Sequence, residues 1–198
     1  MEELVGWLGR YAQLGTGDMS WPYRSLADLV AEHGRFYRPE PWPMNDAQQP
    51  GHCFKAASEW ADRMGWTYVE GFVLVPSAAP FTVFEHAWCL DGKGQVADPA
   101  LPDGKAQGYL GNPCHRDFRR AQQRLRGTDA VFASDPSNPL ASVNEQILRA
   151  GLPENAVAHP TTPTKILIPG RQRAGEDDML QHRQCVPLLQ SSRDNCDH

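Results

Sequence analysis

The sequence lacks several features that define large classes of protein. No apolar run approaches the roughly 18 residues that a membrane-spanning helix needs, so we expect no such span. The 19 Lys and Arg residues are outnumbered by 24 Asp and Glu, and the net charge of −5 excludes a protein that is basic overall and held to nucleic acid mainly by charge. The first residues, Met1-Glu2-Glu3-Leu4, lack the basic and apolar regions of a secretory signal. We therefore expect a cytoplasmic protein.

Cysteine is present, but in a pattern that excludes two common roles. The cysteines are odd in number and irregularly spaced, which argues against a disulfide framework, and no C-x-x-C pair indicates a zinc ribbon or a thioredoxin-type site. His52, His86 and the Cys114-His115 pair match no standard zinc spacing, so we expect no metal and no cofactor. One cysteine with a suitable His elsewhere is instead a candidate nucleophile. The five are Cys53, Cys89, Cys114, Cys185 and Cys196.

Glycine and proline, at 17 residues each, exceed their usual share of a globular domain. This excess argues against a long helical bundle and predicts many turns and long connections. The 198 residues suit one domain with an appendage, and composition divides them into three parts. Residues 1–45 are a helical, aromatic-rich lead-in, residues 46–169 are the main domain, and residues 170–198 are a flexible polar tail.

The centre of the chain predicts an α+β fold. Apolar residues from Cys53 to Met64 follow helical spacing, and Gly65 ends this helix. Two runs rich in β-branched and aromatic residues, 68–75 and 83–90, predict strands. A turn signal at 91–94 leads into a short return strand, so the sheet is small and antiparallel. The return strand covers 95–98, and a last strand is predicted over 165–168. Further helices are predicted over 4–11, 25–33, 115–126 and 142–150.

Cys53, His86 and Asp98 can supply the parts of nucleophilic acyl transfer. Cys53 lies in the first turn of its helix, where unpaired N–H groups and a partial positive charge favour a thiolate. The same N–H groups can hold an oxyanion. His86 lies within the second strand and Asp98 on the adjacent return strand, and strands about 4.8 Å apart can bring the carboxylate against the imidazole. The set therefore offers a nucleophile, a base and a group that orients the base.

The motifs around these residues resemble those of the transglutaminase-like superfamily of cysteine enzymes. Gly51-His52-Cys53-Phe54 is similar to a G-x-C-W/F helix start, His86-Ala87-Trp88 to an H-A-W strand, and Asp98-Pro99 to a D-P strand end, in that order. Tyr109-Leu110-Gly111 is similar to an ending found in small bacterial and phage members. The resemblance covers roughly residues 50–111. It implies a papain-like α+β core in which the Cys helix packs on an antiparallel sheet.

The resemblance also implies a role for each member of the set. It makes Cys53 the nucleophile, His86 the general base and acid, and Asp98 the orienting acid. Papain-like enzymes complete the oxyanion hole with a Gln shortly before the Cys, and the candidates here are Gln48 and Gln49.

Further candidates for contact with the substrate are His52, Trp88, Glu70 and Glu85. His52 stands where eukaryotic transglutaminases often carry Gln, and Phe54 where they carry Trp, which leaves the substrate open. Trp88 is expected in the core or in a pocket wall, where its indole could line a substrate groove. Glu70 and Glu85 are expected to face solvent on their strands, with substrate contact as the alternative.

Two other features have plain structural interpretations. Cys89 points away from the face of the strand that carries the histidine, if its side chains alternate, and is expected to be structural. The arginine-rich helix over 115–126 is expected to have Phe118, Ala121 and Leu125 as its inner face, with the arginines solvated. Binding of an acidic partner or of nucleic acid is the less favoured interpretation of those arginines.

Together these features predict a cysteine-dependent hydrolase or acyltransferase that acts on an amide bond in a peptide or protein side chain, through a thioester. One alternative is a catalytically silent relative that works as a binding module, with the aromatic lead-in and the arginine-rich helix as its surfaces. Another is an arylamine acetyltransferase-like enzyme, although no feature recognises its coenzyme. The sequence specifies neither the substrate nor the choice between hydrolysis and transfer.

Overall fold

The computed structural model describes residues 2–15, 17–135, 138 and 142–158. Within these ranges the chain forms five α-helices and five β-strands. The helices are α1 (Glu2–Gln13), α2 (Leu26–His33), α3 (Cys53–Met64), α4 (Arg116–Arg126) and α5 (Glu145–Ala150). The strands are β1 (Arg35–Tyr37), β2 (Thr67–Leu74), β3 (Val83–Leu90), β4 (Val96–Ala97) and β5 (Gly108–Pro113). None of the helices in the described ranges has the length and apolar character needed to cross a membrane.

The five strands form one antiparallel sheet in the order β1-β5-β2-β3-β4. β2 and β3 pair along their whole length, from Thr67 opposite Leu90 to Leu74 opposite Val83. β5 lies between β2 and β1, and β4 pairs with β3 at the other edge. The expected combination of helices with an antiparallel sheet is therefore confirmed.

The two faces of the sheet enter separate cores. One face packs with α1, α2 and α3 in a large core that includes Phe54, Tyr68 and Cys89. The other face carries a smaller cluster, formed by Val69, Val73, Val75, Trp88, Val96 and Tyr109. Because side chains alternate along a strand, the neighbours Trp88 and Cys89 lie in different cores. Cys89 is thus a buried structural residue, as expected.

The elements with the strongest local pattern are confirmed. α3 begins at Cys53 and ends at Met64, where Gly65 adopts the left-handed conformation with φ of 68°. β3 covers the predicted residues 83–90, and β2 lies one residue earlier than predicted. Ser25 caps α2, since its hydroxyl accepts the N–H of Asp28 at 3.1 Å. These signals are local, so the sequence shows them directly.

The sequence does not predict β1 or β5. β1 has only three residues, and β5 contains Gly and Pro, which strands disfavour. Pairing with β2 places Gly111 opposite Gly71, where a Cβ on Gly71 would lie 2.2 Å from the Leu110 carbonyl oxygen. Glycine at this position therefore allows the close approach of the two strands. Through β1, the lead-in supplies an edge of the main sheet.

The inner face predicted for α4 is wrong at two of its three positions. Phe118 is buried, but Ala121 and Leu125 are exposed, and Leu125 is 66% exposed. The expectation that the arginines are solvated also fails at Arg119, which is only 1% exposed. α4 therefore packs on the sheet through a face that includes a buried guanidinium.

Partners on α3 explain why Arg119 can be buried. Its guanidinium donates to the hydroxyl of Ser58 at 2.6 Å and forms an ion pair with Asp62. It also lies over the ring of Tyr68, 5.6 Å from the centroid. A buried charge is tolerated only when such partners satisfy it. Helical periodicity alone cannot show them.

The C-terminal part departs from prediction in one place. α5 begins at Glu145 rather than Ser142, because Asn144 caps it and its side-chain oxygen accepts the N–H of Ile147 at 3.3 Å. The predicted strand at 165–168 and the predicted tail at 170–198 lie outside the described residues.

Candidate active site

Cys53 lies at the start of α3 and lines a cavity of about 340 Å³, the cysteine cavity. Its side chain is half-buried. The preceding residue, His52, also lines this cavity and makes no side-chain hydrogen bond to the first turn. Gly51, with φ of 86°, turns the chain into the helix. The start of α3 therefore presents a thiol beside N–H groups that no N-cap side chain occupies.

The sheet brings His86 and Asp98 into contact. His86 lies in β3, and Asp98 follows β4, which pairs with β3 through Ala97 opposite Cys89. Nε2 of His86 is 2.7 Å from Oδ2 of Asp98, and both side chains are buried. This bond fixes the orientation of the imidazole and leaves Nδ1 as its second site of interaction.

Charge interactions dominate the titration of this pair. Burial lowers the pKa of His86, but charge and hydrogen-bond interactions with Asp98, and then with Cys53, together outweigh burial and raise that pKa to about 10. Burial raises the pKa of Asp98, yet the charge of His86 outweighs it and holds the pKa below its ordinary value. The charge of Asp98 at Nε2 and the interaction with Cys53 therefore both favour the imidazolium at neutral pH.

Asp98 is fixed on both carboxylate oxygens. Oδ1 accepts the N–H of Ala100 at 2.9 Å and that of Leu101 at 3.0 Å. Oδ2 also accepts the hydroxyl of Tyr109 at 2.9 Å. These bonds favour the ionised carboxylate and prevent it from rotating away from the histidine.

Neither of the two glutamines predicted for the oxyanion hole lines the cysteine cavity. The amide nitrogen of Gln48 donates to the carbonyl oxygens of Asp98 at 2.9 Å and Leu101 at 2.6 Å, which uses both of its hydrogens. Gln49 is exposed, and its backbone N–H donates to the carbonyl of Pro99 at 2.7 Å. Gln48 thus supports the backbone of Asp98. The first turn of α3 offers N–H donors beside Cys53.

Aromatic rings pack around His86. The rings of Trp88 and Tyr109 both lie 6.3 Å from the imidazole centroid, and the Trp88 ring is nearly parallel to it at 16°. Trp88 is fully buried in the second core. Of the two positions expected for Trp88, the structure shows the core position, so its ring supports His86 from within the fold.

Glu70 is fully buried, contrary to the expectation that it faces solvent. Its carboxylate accepts one hydroxyl and three backbone N–H groups, from Tyr68, Val131, Phe132 and Ala133. These bonds fix the segment 129–135. That segment supplies Asp129, Ser134 and Asp135 to the wall of the cysteine cavity. Glu70 therefore shapes the cavity from behind, and the four donors occupy the oxygens that a substrate contact would need.

Glu85 lines the cysteine cavity and is half-buried, whereas the sequence suggested a solvent-facing strand residue. The hydroxyl of Ser134 donates to its Oε2 at 3.4 Å. Burial, followed by the negative charge of Glu70, raises the pKa of Glu85 to about 7. A carboxyl group that titrates near neutrality thus lies beside the cysteine.

Sequence reasoning missed two contributors to the site. Tyr109 lies in the Tyr-Leu-Gly motif, but without β5 its position next to Asp98 could not be inferred. The segment 129–135 is aperiodic, and no local signal links it to Cys53. Tyr109 is positioned by the pairing of β5 with β2, and the segment 129–135 by its hydrogen bonds to the buried carboxylate of Glu70. Both are contacts between residues far apart in the sequence.

The other two described cysteines, Cys89 and Cys114, are buried and do not line the cysteine cavity. Cys89 donates its S–H to the carbonyl of Ala57 at 3.2 Å, and burial raises the pKa of both Cys89 and Cys114. Within the described part of the chain, no group of three or more His, Cys, Asp or Glu side chains is placed to hold a metal ion.

Comparison of the chain with family models, curated proteins and solved structures gave no match.

Proposed function

We propose that the protein is a cysteine-dependent hydrolase or acyltransferase of the transglutaminase-like type, acting on an amide bond in a peptide or protein side chain. The observation that carries this proposal is the position of His86, held at 2.7 Å by Asp98 and interacting with Cys53 at the uncapped start of a helix. The three groups have the chemistry of a nucleophile, a base and an orienting acid. Their order along the chain, and the packing of α3 on an antiparallel sheet, support a papain-like core.

In the proposed reaction the thiolate of Cys53 attacks the carbonyl carbon of the amide. N–H groups of the first turn of α3 donate to the oxyanion that forms. As the C–N bond breaks, the imidazolium of His86 gives its proton to the leaving amine, and the acyl group remains on sulfur as a thioester. Asp98 stays ionised throughout and keeps the ring in position.

The second half of the reaction releases the acyl group. Neutral His86 takes a proton from water, or from a second amine, as that nucleophile attacks the thioester carbonyl. The intermediate collapses, the C–S bond breaks, and the thiolate–imidazolium pair is restored. Attack by water gives hydrolysis, and attack by an amine gives acyl transfer.

The test is a screen of peptide and side-chain amides for amine release, with intact-protein mass spectrometry to detect an acylated enzyme. We expect Cys53→Ala to abolish amine release and acylation, and Cys185→Ala to preserve both as the matched control. Release that persists in Cys53→Ala would contradict the mechanism. A folded protein that acts on no amide, and whose Cys53 is unreactive, would favour the silent binding module.

A further inference from the structure

A second, larger cavity lies next to the cysteine cavity, and Glu85 lines both. Its volume is about 580 Å³, and it is called the apolar cavity here because most of its lining side chains are hydrophobic or aromatic, such as Trp21 and Phe84. Besides Glu85, its charged lining residues are Arg24 and Glu145, one of each sign. Such a cavity suits an apolar group of a ligand.

The cysteine cavity has the opposite character, because carboxylates dominate its lining. Glu85, Asp129 and Asp135 line it, and Lys55 is the one Lys or Arg among its lining residues. Negative charge at the wall of a partly enclosed cavity attracts cations and repels anions. A substrate that reaches Cys53 through this cavity is therefore favoured when it carries a positive charge.

Glu85 is the group best placed to bind that charge. It is half-buried at the junction of the two cavities, and Ser134 is its hydrogen-bond partner, through its hydroxyl at 3.4 Å and through its backbone. Glu85 pairs with no Lys, Arg or His side chain in the part of the chain that the structure describes. A half-buried carboxylate without a cation is costly, and a ligand cation would offset that cost.

We infer that the substrate amide carries a positively charged nitrogen near its acyl carbonyl, bound by Glu85, and an apolar group that enters the apolar cavity. This inference rests on the proposed function, because it assumes that the reacting carbonyl lies at Cys53. It narrows the substrate class to amides with a cationic nitrogen and an apolar group on the acyl side.

Methanethiosulfonate reagents test the cation requirement without knowledge of the substrate. Sγ of Cys53 attacks the reagent to form a mixed disulfide, and methanesulfinate leaves. The measurements use a Cys185→Ser/Cys196→Ser background, and each reagent's rate with Cys53 is divided by its rate with free mercaptoethanol. We expect the trimethylammonium-ethyl reagent to react about tenfold faster than the sulfonato-ethyl reagent. Glu85→Gln should reduce this ratio at least threefold. Glu40→Gln, an exposed carboxylate outside both cavities, should leave the ratio unchanged.

Benzyl and methyl methanethiosulfonate test the apolar cavity in the same background. We expect the benzyl reagent to react about tenfold faster relative to mercaptoethanol, because its ring is removed from water. Val143→Trp fills the cavity and should remove this preference, while Leu125→Trp, outside both cavities, should not. Leu14→Asp, at a cavity position that is 74% exposed and tolerant of change, should weaken the preference even if Val143→Trp does not fold.

The outcomes separate the two proposals. Charge preference that depends on Glu85, together with benzyl preference that depends on the apolar cavity, supports the inference. In another outcome, the methyl reagent labels Cys53 faster in the background protein than in its His86→Asn variant, while either preference is absent or is unchanged by its variants. That result overturns the inference and leaves the proposed function standing. If the methyl reagent shows no dependence on His86, both fall.

Discussion

Replacing Glu70 with Gln tests how far the wall of the cysteine cavity depends on one buried carboxylate. Oε1 of Glu70 accepts the N–H groups of Phe132 and Ala133, and Oε2 accepts the hydroxyl of Tyr68 and the N–H of Val131. A Gln keeps one oxygen and turns an NH₂ group toward the other two donors. Two charge-assisted bonds of about 1.5–3 kcal/mol each are therefore lost. We expect the free energy of unfolding to fall by about 3–6 kcal/mol.

Urea unfolding followed by far-UV circular dichroism measures this change. Tyr68→Phe is the matched variant, because it removes one donor to Glu70 and leaves the three backbone bonds in place, so we expect a loss of about 1.5 kcal/mol. Thermal unfolding should show the same order, with Tm lowered by about 2–4 °C per kcal/mol. A loss below about 1 kcal/mol for Glu70→Gln, or equal losses for the two variants, would show that the Glu70 carboxylate does not hold the cavity wall.

Three further predictions follow from burial and charge. Arg119→Ala should cost about 2–3 kcal/mol of unfolding free energy, because it removes a buried guanidinium and its hydrogen bonds to Ser58. Arg120→Ala at the surface should cost under about 1 kcal/mol, and equal costs in urea unfolding would contradict the burial of Arg119. The pKa of His86 is raised in the folded state to about 10, so its contribution to stability is complete below the unfolded pKa near 6.5 and is lost as pH rises through 10. Unfolding free energy should thus decline from pH 7 to 10 more steeply in the wild type than in His86→Asn, and parallel profiles would count against the pair. Asp98→Asn removes the charge that raises the pKa of His86, so alkylation of Cys53 at pH 6 should slow by at least about tenfold, and an unchanged rate in the folded variant would show that Asp98 does not support the thiolate.

The elements that carry Cys53 and His86 could be predicted from sequence because their signals are local. Helical spacing with Gly65 as its end defines α3, and a run of β-branched and aromatic residues defines β3. A tight turn then makes the return strand adjacent, which places Asp98 near His86. The contact between these two side chains could therefore be expected before the structure was known.

The remainder of the site depends on contacts between distant segments. Glu70 and Arg119 look like surface residues in the sequence, since nothing local shows that residues 131–133 and α3 supply their partners. Gln48 has a suitable residue type at a suitable distance along the chain, but its amide is used by backbone carbonyls near Asp98. Side-chain direction at such positions is decided by which polar groups remain unsatisfied when the chain packs.

The proposed function requires that His86 makes Cys53 a reactive nucleophile. Its most direct test is the rate of alkylation of Cys53 by iodoacetamide at pH 6, followed by peptide mass spectrometry in the wild type and in His86→Asn, with far-UV circular dichroism to show that both are folded. The account predicts that the wild type reacts at least about tenfold faster than the variant and than the denatured protein. Equal rates in the folded wild type, the folded variant and the denatured protein would contradict it.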